Sequence, residues 1–255
     1  IYVNCLWSDG TTLVAGTDDG VFKSTDGGLT FSAAGLQGND IYKIYTKNAY
    51  IFTFGSNGVN QSSDGGTTWI NFDPQIPYSD ITEFFISSSK VFATTSGELL
   101  ISSVSAPTWS YVNYGTEVKF NFSICRSGTD LYTGTNRGIM QSTDNGVTWS
   151  EYNTGLYPNN VSSLSIVNND TLYAGASIYG VARNILSGSG WQFSGLGLLN
   201  SAAMTSRLNE VYSACDLGIQ RSTDGGQTWQ LVNNIGANPV ISYCADVAVK
   251  DSLIL

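Results

Sequence analysis

The chain is 255 residues long, 42% hydrophobic and only 12% charged, which is enough apolar material for a large core and too much for a disordered segment. Eleven Lys and Arg against twenty Asp and Glu give a net charge of −9, with no basic cluster and no run of eighteen apolar residues, so neither a nucleic-acid partner nor membrane insertion is expected. Histidine is absent and the four cysteines, Cys5, Cys125, Cys215 and Cys244, include no CxxC pair, which excludes zinc sites and histidine-based catalysis.

In chain order, the first forty residues set a pattern that the rest repeats. An apolar pair, Leu13-Val14, is followed by Gly20 and then by an acidic turn, "STDGGLTF" (24–31). The turn returns as "SSDGGTTW" (62–69), "STDNGVTW" (142–149) and "STDGGQTW" (222–229). Two further copies are degenerate: "SSVSAPTW" (102–109) places Val104 at the Asp position and keeps Trp109, and "NILSGSGW" (184–191) places Leu186 there and keeps Gly188 and Trp191. The six phase positions, Asp26, Asp64, Val104, Asp144, Leu186 and Asp224, lie 38, 40, 40, 42 and 38 residues apart. A fixed period of this length is the signature of a repeat architecture.

Each repeat carries four strand signals in the same order. Strand A follows a loop, as in "IYKIYT" (41–46) and "VSSLSI" (161–166). Strand B is clearest, at Leu13-Val14, Ile51-Phe52, Val91-Phe92, Leu131-Tyr132, Leu172-Tyr173 and Val211-Tyr212. A glycine (Gly20, Gly58, Gly138, Gly180, Gly218) opens strand C, with Gly97 one residue early in the third repeat. Strand C runs into the turn, and strand D is expected to begin at its aromatic, as in "TWSEYN" (148–153). Four short antiparallel strands per ~40 residues predict a β-propeller blade. One blade cannot cover both of its faces, so the sheets must stack around an axis, and residues 1–255 are expected to form a single domain. The predicted fold is an all-β propeller of four-stranded antiparallel blades, with six complete repeats, a partial seventh, and seven blades in all.

The turns resemble the Asp-box, or BNR, repeat Ser/Thr-x-Asp-x-Gly-x-Thr-Trp. Four copies fit it almost completely, Phe31 replacing Trp in the first, and two fit in part. Similar repeats occur in sialidases, xyloglucanase-type glycosidases, sortilin-like receptors, a photosystem assembly factor and secreted bacterial surface proteins. The resemblance implies the fold, while activities differ across that range. Physically, the Asp carboxylate can accept backbone N–H bonds across the C–D turn, Gly supplies the positive φ, and Ser or Thr adds a local bond. The aromatic then enters the interface between blades. Asp26, Asp64, Asp144 and Asp224, with Phe31, Trp69, Trp109, Trp149, Trp191 and Trp229, are therefore read as structural, the more so because Val104 and Leu186 replace the carboxylate.

Ligands are expected at the opposite end, the top, where the B–C turns and D–A loops lie. The candidate binding residues are Asp18, Asp19, Asn57, Glu98, Asn136, Arg137, Tyr179 and Asp216. Eight acids map there, Asp18, Asp19, Asp40, Asp73, Asp80, Glu98, Glu117 and Asp216, against Lys119 and Arg137. That balance predicts a negative field favouring a cationic protein patch or a hard cation such as Ca2+; no other cofactor or metal is expected. Tyr78, Tyr157 and Tyr179 could stack on sugar rings, although packing roles are the simpler reading. The three convergent arginines of a sialidase are not expected, since Arg126, Arg137, Arg183, Arg207 and Arg221 fall at scattered phases. A two-carboxylate glycosidase remains the alternative, because the ~6.5–9.5 Å separation of an inverting pair cannot be read from sequence.

Residues 240–255, "VISYCADVAVKDSLIL", align with the first residues, Cys244 on Cys5 and Leu253-Ile254 on Leu13-Val14. They predict strands A and B of a seventh blade, completed by flanking sequence of a longer chain or by strand addition from another chain. Cys5 and Cys244 would lie on neighbouring inner strands as free thiols. The functional expectation is a non-catalytic binding or scaffolding propeller at the cell surface or outside the cell, meeting a protein or glycan, with a polysaccharide hydrolase as the alternative.

Overall fold

The structure, a computed structural model, describes residues 1–8, 12–47, 50–73, 81–87, 89–95, 98–105, 108–115, 118, 120–157, 160–176, 180–188, 190–194, 201–232, 247, 249–250 and 253–254. The described residues contain six four-stranded sheets, and each is a meander in which neighbours in sequence are neighbours in the sheet. The first holds β1 (Val3–Ser8), β2 (Leu13–Thr17), β3 (Gly20–Ser24) and β4 (Ser32–Ala33), the second β5 (Ile41–Lys47), β6 (Tyr50–Gly55), β7 (Gly58–Ser62) and β8 (Ile70–Asp73). The third holds β9 (Ile81–Ile86), β10 (Lys90–Thr95), β11 (Leu99–Ser103) and β12 (Ser110–Tyr111), the fourth β13 (Asn121–Ser127), β14 (Asp130–Thr135), β15 (Gly138–Ser142) and β16 (Ser150–Glu151). The fifth holds β17 (Val161–Val167), β18 (Thr171–Ala176), β19 (Gly180–Ile185) and β20 (Gln192–Ser194), the sixth β21 (Ser201–Arg207), β22 (Glu210–Cys215), β23 (Gly218–Ser222) and β24 (Gln230–Val232). A last pair, β25 (Val249–Lys250) and β26 (Leu253–Ile254), forms an antiparallel hairpin with Lys250 opposite Leu253.

The chain divides into two compact units, residues 1–92 with 101–110 and residues 93–100 with 111–255. In both, the core lies between successive sheets. In the first unit Val14 and Val21 of the first sheet pack on Ile41 and Ile51 of the second. In the second unit Tyr132 and Ile139 meet Val161, Leu172, Ala182 and Trp191, and further along Tyr173 and Val181 meet Val211 and Trp229. Close approach of the inner strands depends on small residues in strand B. A Cβ on Gly134 would lie 2.5 Å from the Val161 carbonyl oxygen, so a side chain there would push β17 away.

Strand D is shorter than the sequence suggests, because in every sheet it begins one residue after the turn aromatic. The aromatic has rotated out of the ladder to lie on the outer strand of the preceding sheet. Trp69 donates its indole N–H to Ala34 O at 2.6 Å, Trp191 to Tyr152 O at 2.8 Å and Trp229 to Ser194 Oγ at 2.8 Å. Trp109 and Trp149 use ring contacts instead, edge-on to Phe72 (5.6 Å) and Tyr114 (5.7 Å). Phe31, the one turn aromatic that is not tryptophan, is 43% exposed, against 5% for Trp191.

A feature absent from the sequence reading recurs in strand A. In five sheets the register slips after its first residue, at Val3/Cys5, Ile41/Lys43, Asn121/Ser123, Val161/Ser163 and Ser201/Ala203. Such a bulge re-aims the extra residue's side chain. Asn4 thereby donates to Ile41 O at 3.1 Å, and Ser162 to Ser201 O, each tying one inner strand to the next.

Among the described residues Cys5, Cys125 and Cys215 form no disulfide, and burial raises the pKa of Cys5. Cys244 and its alignment on Cys5 lie outside the described residues.

If the indoles hold successive sheets together, their removal should be far more damaging than removal of the first-repeat aromatic. Trp191→Ala should cost about 3–5 kcal/mol in urea unfolding, and Phe31→Ala less than about 1 kcal/mol. Equal losses at the two positions would contradict this packing scheme.

Candidate functional site

The acidic turns come first because they are the densest polar constellations in the chain. In each, two consecutive residues have positive φ: Gly27 and Gly28, Gly65 and Gly66, Asn145 and Gly146, Gly225 and Gly226. Only Gly adopts this freely and Asn tolerates it, which explains the "DGG" and "DNG" spellings. Ser24 donates to Asp26 Oδ1 at 2.7 Å and accepts Gly28 N–H at 2.9 Å. Asp26 also accepts Thr30 N–H on Oδ1 (3.0 Å) and the Thr30 hydroxyl on Oδ2 (2.5 Å). Asp64 repeats the arrangement with Ser62, Thr67 and Thr68, Asp144 with Ser142, Val147 and Thr148, and Asp224 with Ser222, Gln227 and Thr228.

All four carboxylates are solvent-exposed, yet these donors hold them well below the usual carboxylate range, the Thr hydroxyl contributing most. An anion so saturated with local donors is a brace. The degenerate turns show what replaces it. Val104 is buried, and Leu186 packs against the cluster containing Trp191.

At the other end, the first residue of the B–C turn forms a reciprocal clasp with the residue entering strand A. Asp18 donates N–H to Tyr2 O (3.1 Å) and accepts Tyr2 N–H on Oδ1 (2.8 Å). Ser56 and Asp40 exchange the same two bonds (2.8 and 3.0 Å), as do Asn136 and Phe120 (both 3.2 Å). Asp19 accepts Gly38 N–H at 2.8 Å, and Asn57 accepts from Asn60 Nδ2 at 2.8 Å. These side chains thus tie down the loops that they were expected to decorate. The signal was present in the sequence as a short polar residue eight positions before the turn Asp, and it reads as a clasp only once the partner strand is in place.

Glu98 and Arg137 are exposed and Asp216 is half-buried. Asn153 accepts Ile139 N–H and donates to Arg137 O, fixing the Arg137 backbone beneath its side chain. Tyr157 is 64% exposed and stacks on Phe193 at 5.9 Å. Asp40 accepts the Tyr42 hydroxyl at 3.2 Å. Tyr78, Tyr179, Asp80, Glu117 and Lys119, and the side chain of Asp73, lie outside the described residues. Among the described residues no three carboxylates or thiols approach closely enough to hold a metal ion.

Three of the arginines are engaged separately within the second unit: Arg126 on Gly128 O, Arg183 on Gly225 O and Arg221 on Glu210. The Tyr212 hydroxyl and Arg221 together lower the pKa of Glu210.

Comparison with known proteins leaves the family open, since no protein-family model and no curated protein matches the chain. Solved structures do match. The extracellular domain of BT4673 from B. thetaiotaomicron superposes with a TM-score of 0.68 at 13% identity, covering 97% of this chain and 36% of that one. An ancestral GH74 enzyme gives 0.62 at 16% identity over 90% and 37% of the two chains. YCF48 bound to D1 peptide gives 0.59 at 17% identity over 87% and 78%. The chain thus spans a little over a third of the first two proteins. At these identities the likeness shows the fold alone, and that fold is a β-propeller.

The braced carboxylates predict an acid limb in stability. Their folded pKa values lie below the unfolded value of about 3.9, so their contribution is complete above that value and is lost as pH falls through the folded pKa. The thermal midpoint should hold steady from about pH 7 to 5 and drop below about pH 4. Asp64→Asn with Asp144→Asn should lower the neutral-pH midpoint and flatten the acid limb, and an unchanged limb would show that other groups cause it.

Proposed function

We propose that this chain is a non-catalytic binding or scaffolding module of an extracytoplasmic protein, an Asp-box propeller that meets a protein or glycan with its B–C turn end. The observation that carries the reading is the engagement of the top-end polar groups. Asp18, Asp19, Asn57 and Asn136 are committed to holding loops. Glu98 and Arg137 are exposed among turns rich in acids. A short-looped, acidic end suits broad contact with a cationic surface more than enclosure of a substrate.

Several structural neighbours are extracellular domains, and one neighbour was solved with a peptide bound. Both facts support the reading. The ancestral GH74 neighbour supports the alternative, a polysaccharide hydrolase using two top-end carboxylates. We also propose that further strands, from this polypeptide or from another chain, extend the β25–β26 hairpin. A molar mass by light scattering that stays monomeric at all concentrations would exclude the second source.

Decalysine provides the direct test. It should bind with an affinity that falls steeply between about 50 and 200 mM salt, and Glu98→Lys should weaken it further. Absence of binding, or binding insensitive to salt, would remove the cationic-partner reading. Release of reducing ends from a panel of β-glucans, abolished by Glu98→Gln or Asp19→Asn, would establish the hydrolase instead.

A further inference from the structure

A cleft of about 380 Å3 opens between the first and second sheets of the first unit, at the end where the acidic turns lie. Its origin can be traced to one residue. Strand B carries an aromatic at the same position in repeats two to six, Phe52, Phe92, Tyr132, Tyr173 and Tyr212, each almost wholly buried against its surroundings. The first repeat carries Val14. In the fifth sheet the ring at this position spans the gap to the following sheet, where the Tyr173 hydroxyl donates to Gly225 O at 2.6 Å. That carbonyl also accepts from Arg183, whereas in the first sheet Val14 stops short and the equivalent carbonyl, Gly65 O, keeps only the cation's bond, from Lys23 at 2.8 Å.

The missing bulk has moved to the adjacent strand. Residues facing this position on strand A are Tyr45, Cys125, Ser165 and Thr205 in the second, fourth, fifth and sixth sheets, whereas Val14 pairs with Trp7. The exchange puts an indole on the wall of the cleft and leaves a ring-sized gap above Val14 and Ile51. Tyr50 lines the cleft as well.

Among the described residues the rim is polar and carries one cation, Lys23, and one anion, Asp64. Lys23 has three N–H donors, one of them on Gly65 O. Asp64 Oδ1 accepts three hydrogen bonds, but Oδ2 accepts only that of the Thr68 hydroxyl, leaving a lone pair. Thr46 and Ser63 add hydroxyls. One cation facing one anion disfavours a charged ligand, and a purely aromatic ligand would strip water from these groups without replacing their hydrogen bonds. A ring with an apolar C–H face and a hydroxylated edge satisfies both the indole and the rim.

We propose that this cleft binds a single neutral pyranose residue of a glycan, its C–H face on Trp7 and its hydroxyls on Asp64, Lys23, Thr46 and Ser63. The site lies at the opposite end from the B–C turns and stands independently of the function proposed for them. It also gives Asp64 a second role, since its Oδ2 keeps a lone pair that its own turn does not use.

The test uses the intact chain labelled with 15N, the Trp7 indole resonance being identified by its loss in Trp7→Phe. Methyl β-D-glucopyranoside, methyl β-D-galactopyranoside and methyl N-acetyl-β-D-glucosaminide are titrated to about 50 mM, with phenol as the aromatic control. At least one pyranoside should shift that resonance saturably with a Kd of about 1–20 mM, the range open to a ligand of this size. Val14→Tyr, which restores the ring of the other repeats, should abolish the shift. Thr46→Val and Ser63→Ala, which keep the cleft's shape, should each weaken binding about two- to tenfold with far-UV circular dichroism unchanged, and they decide the matter if Val14→Tyr does not fold. The proposal falls if no pyranoside moves the resonance, if these variants leave the shift unaltered, or if phenol binds more tightly than every sugar.

Discussion

A four-stranded sheet with apolar side chains on both faces is not stable alone, and this constraint organises the whole chain. Repeats two to six answer it in the same way, by laying a tryptophan from their own C–D turn over the outer strand of the sheet before. The contact is partly dispersive and partly a hydrogen bond, as in Trp191 on Tyr152 and Trp229 on Ser194. For Trp69, Trp191 and Trp229 the bond also fixes where along the outer strand the ring must sit, since an unpaired indole N–H is costly to bury, while Trp109 and Trp149 bury theirs without a partner among the described residues and rely on ring contacts. Sheet is thereby registered to sheet without any long connection.

The carboxylate serves this contact indirectly. It gathers the turn's N–H and hydroxyl groups into one small cage, so the chain leaves the turn in a defined direction and the aromatic arrives over its neighbour. The two degenerate repeats separate the parts of the device. Both lose the carboxylate and both keep the tryptophan. At Leu186 an apolar side chain facing the core takes over as anchor, with Leu186 N–H donating to Asp170 O at 2.7 Å. In repeats two to six the constant element is therefore the wedge, and the acid is one of two ways to aim it.

Variation on a repeated frame is where individuality enters. The B–C turns use the same clasp with Asp18, Ser56 or Asn136, so a residue that looks like a ligand in one repeat proves to be the counterpart of a serine in another. Conversely, the exchange of bulk between Trp7 and Val14 is invisible as chemistry, since both are ordinary apolar residues, yet it opens a cleft where the fifth repeat places the ring of Tyr173. In a repeat protein, a departure from the repeat's own volume pattern is as informative as an unusual functional group.

The period, the strand order and the role of the acidic turns followed from sequence because each rests on local rules: alternation of apolar residues, glycine at positive φ, and a carboxylate within reach of its own backbone. The strand B pairs from Leu13-Val14 to Val211-Tyr212 all fall within the observed strands. What tertiary structure alone decided were contacts between residues sixteen to thirty-nine apart. These include the rotation of each indole out of its strand, the bulges that send Asn4 and Ser162 to the next inner strand, and the clasps that occupy Asp18 and Asn136. Sequence records which groups can donate and accept; only the stacking of one sheet on the next determines which of them are already taken.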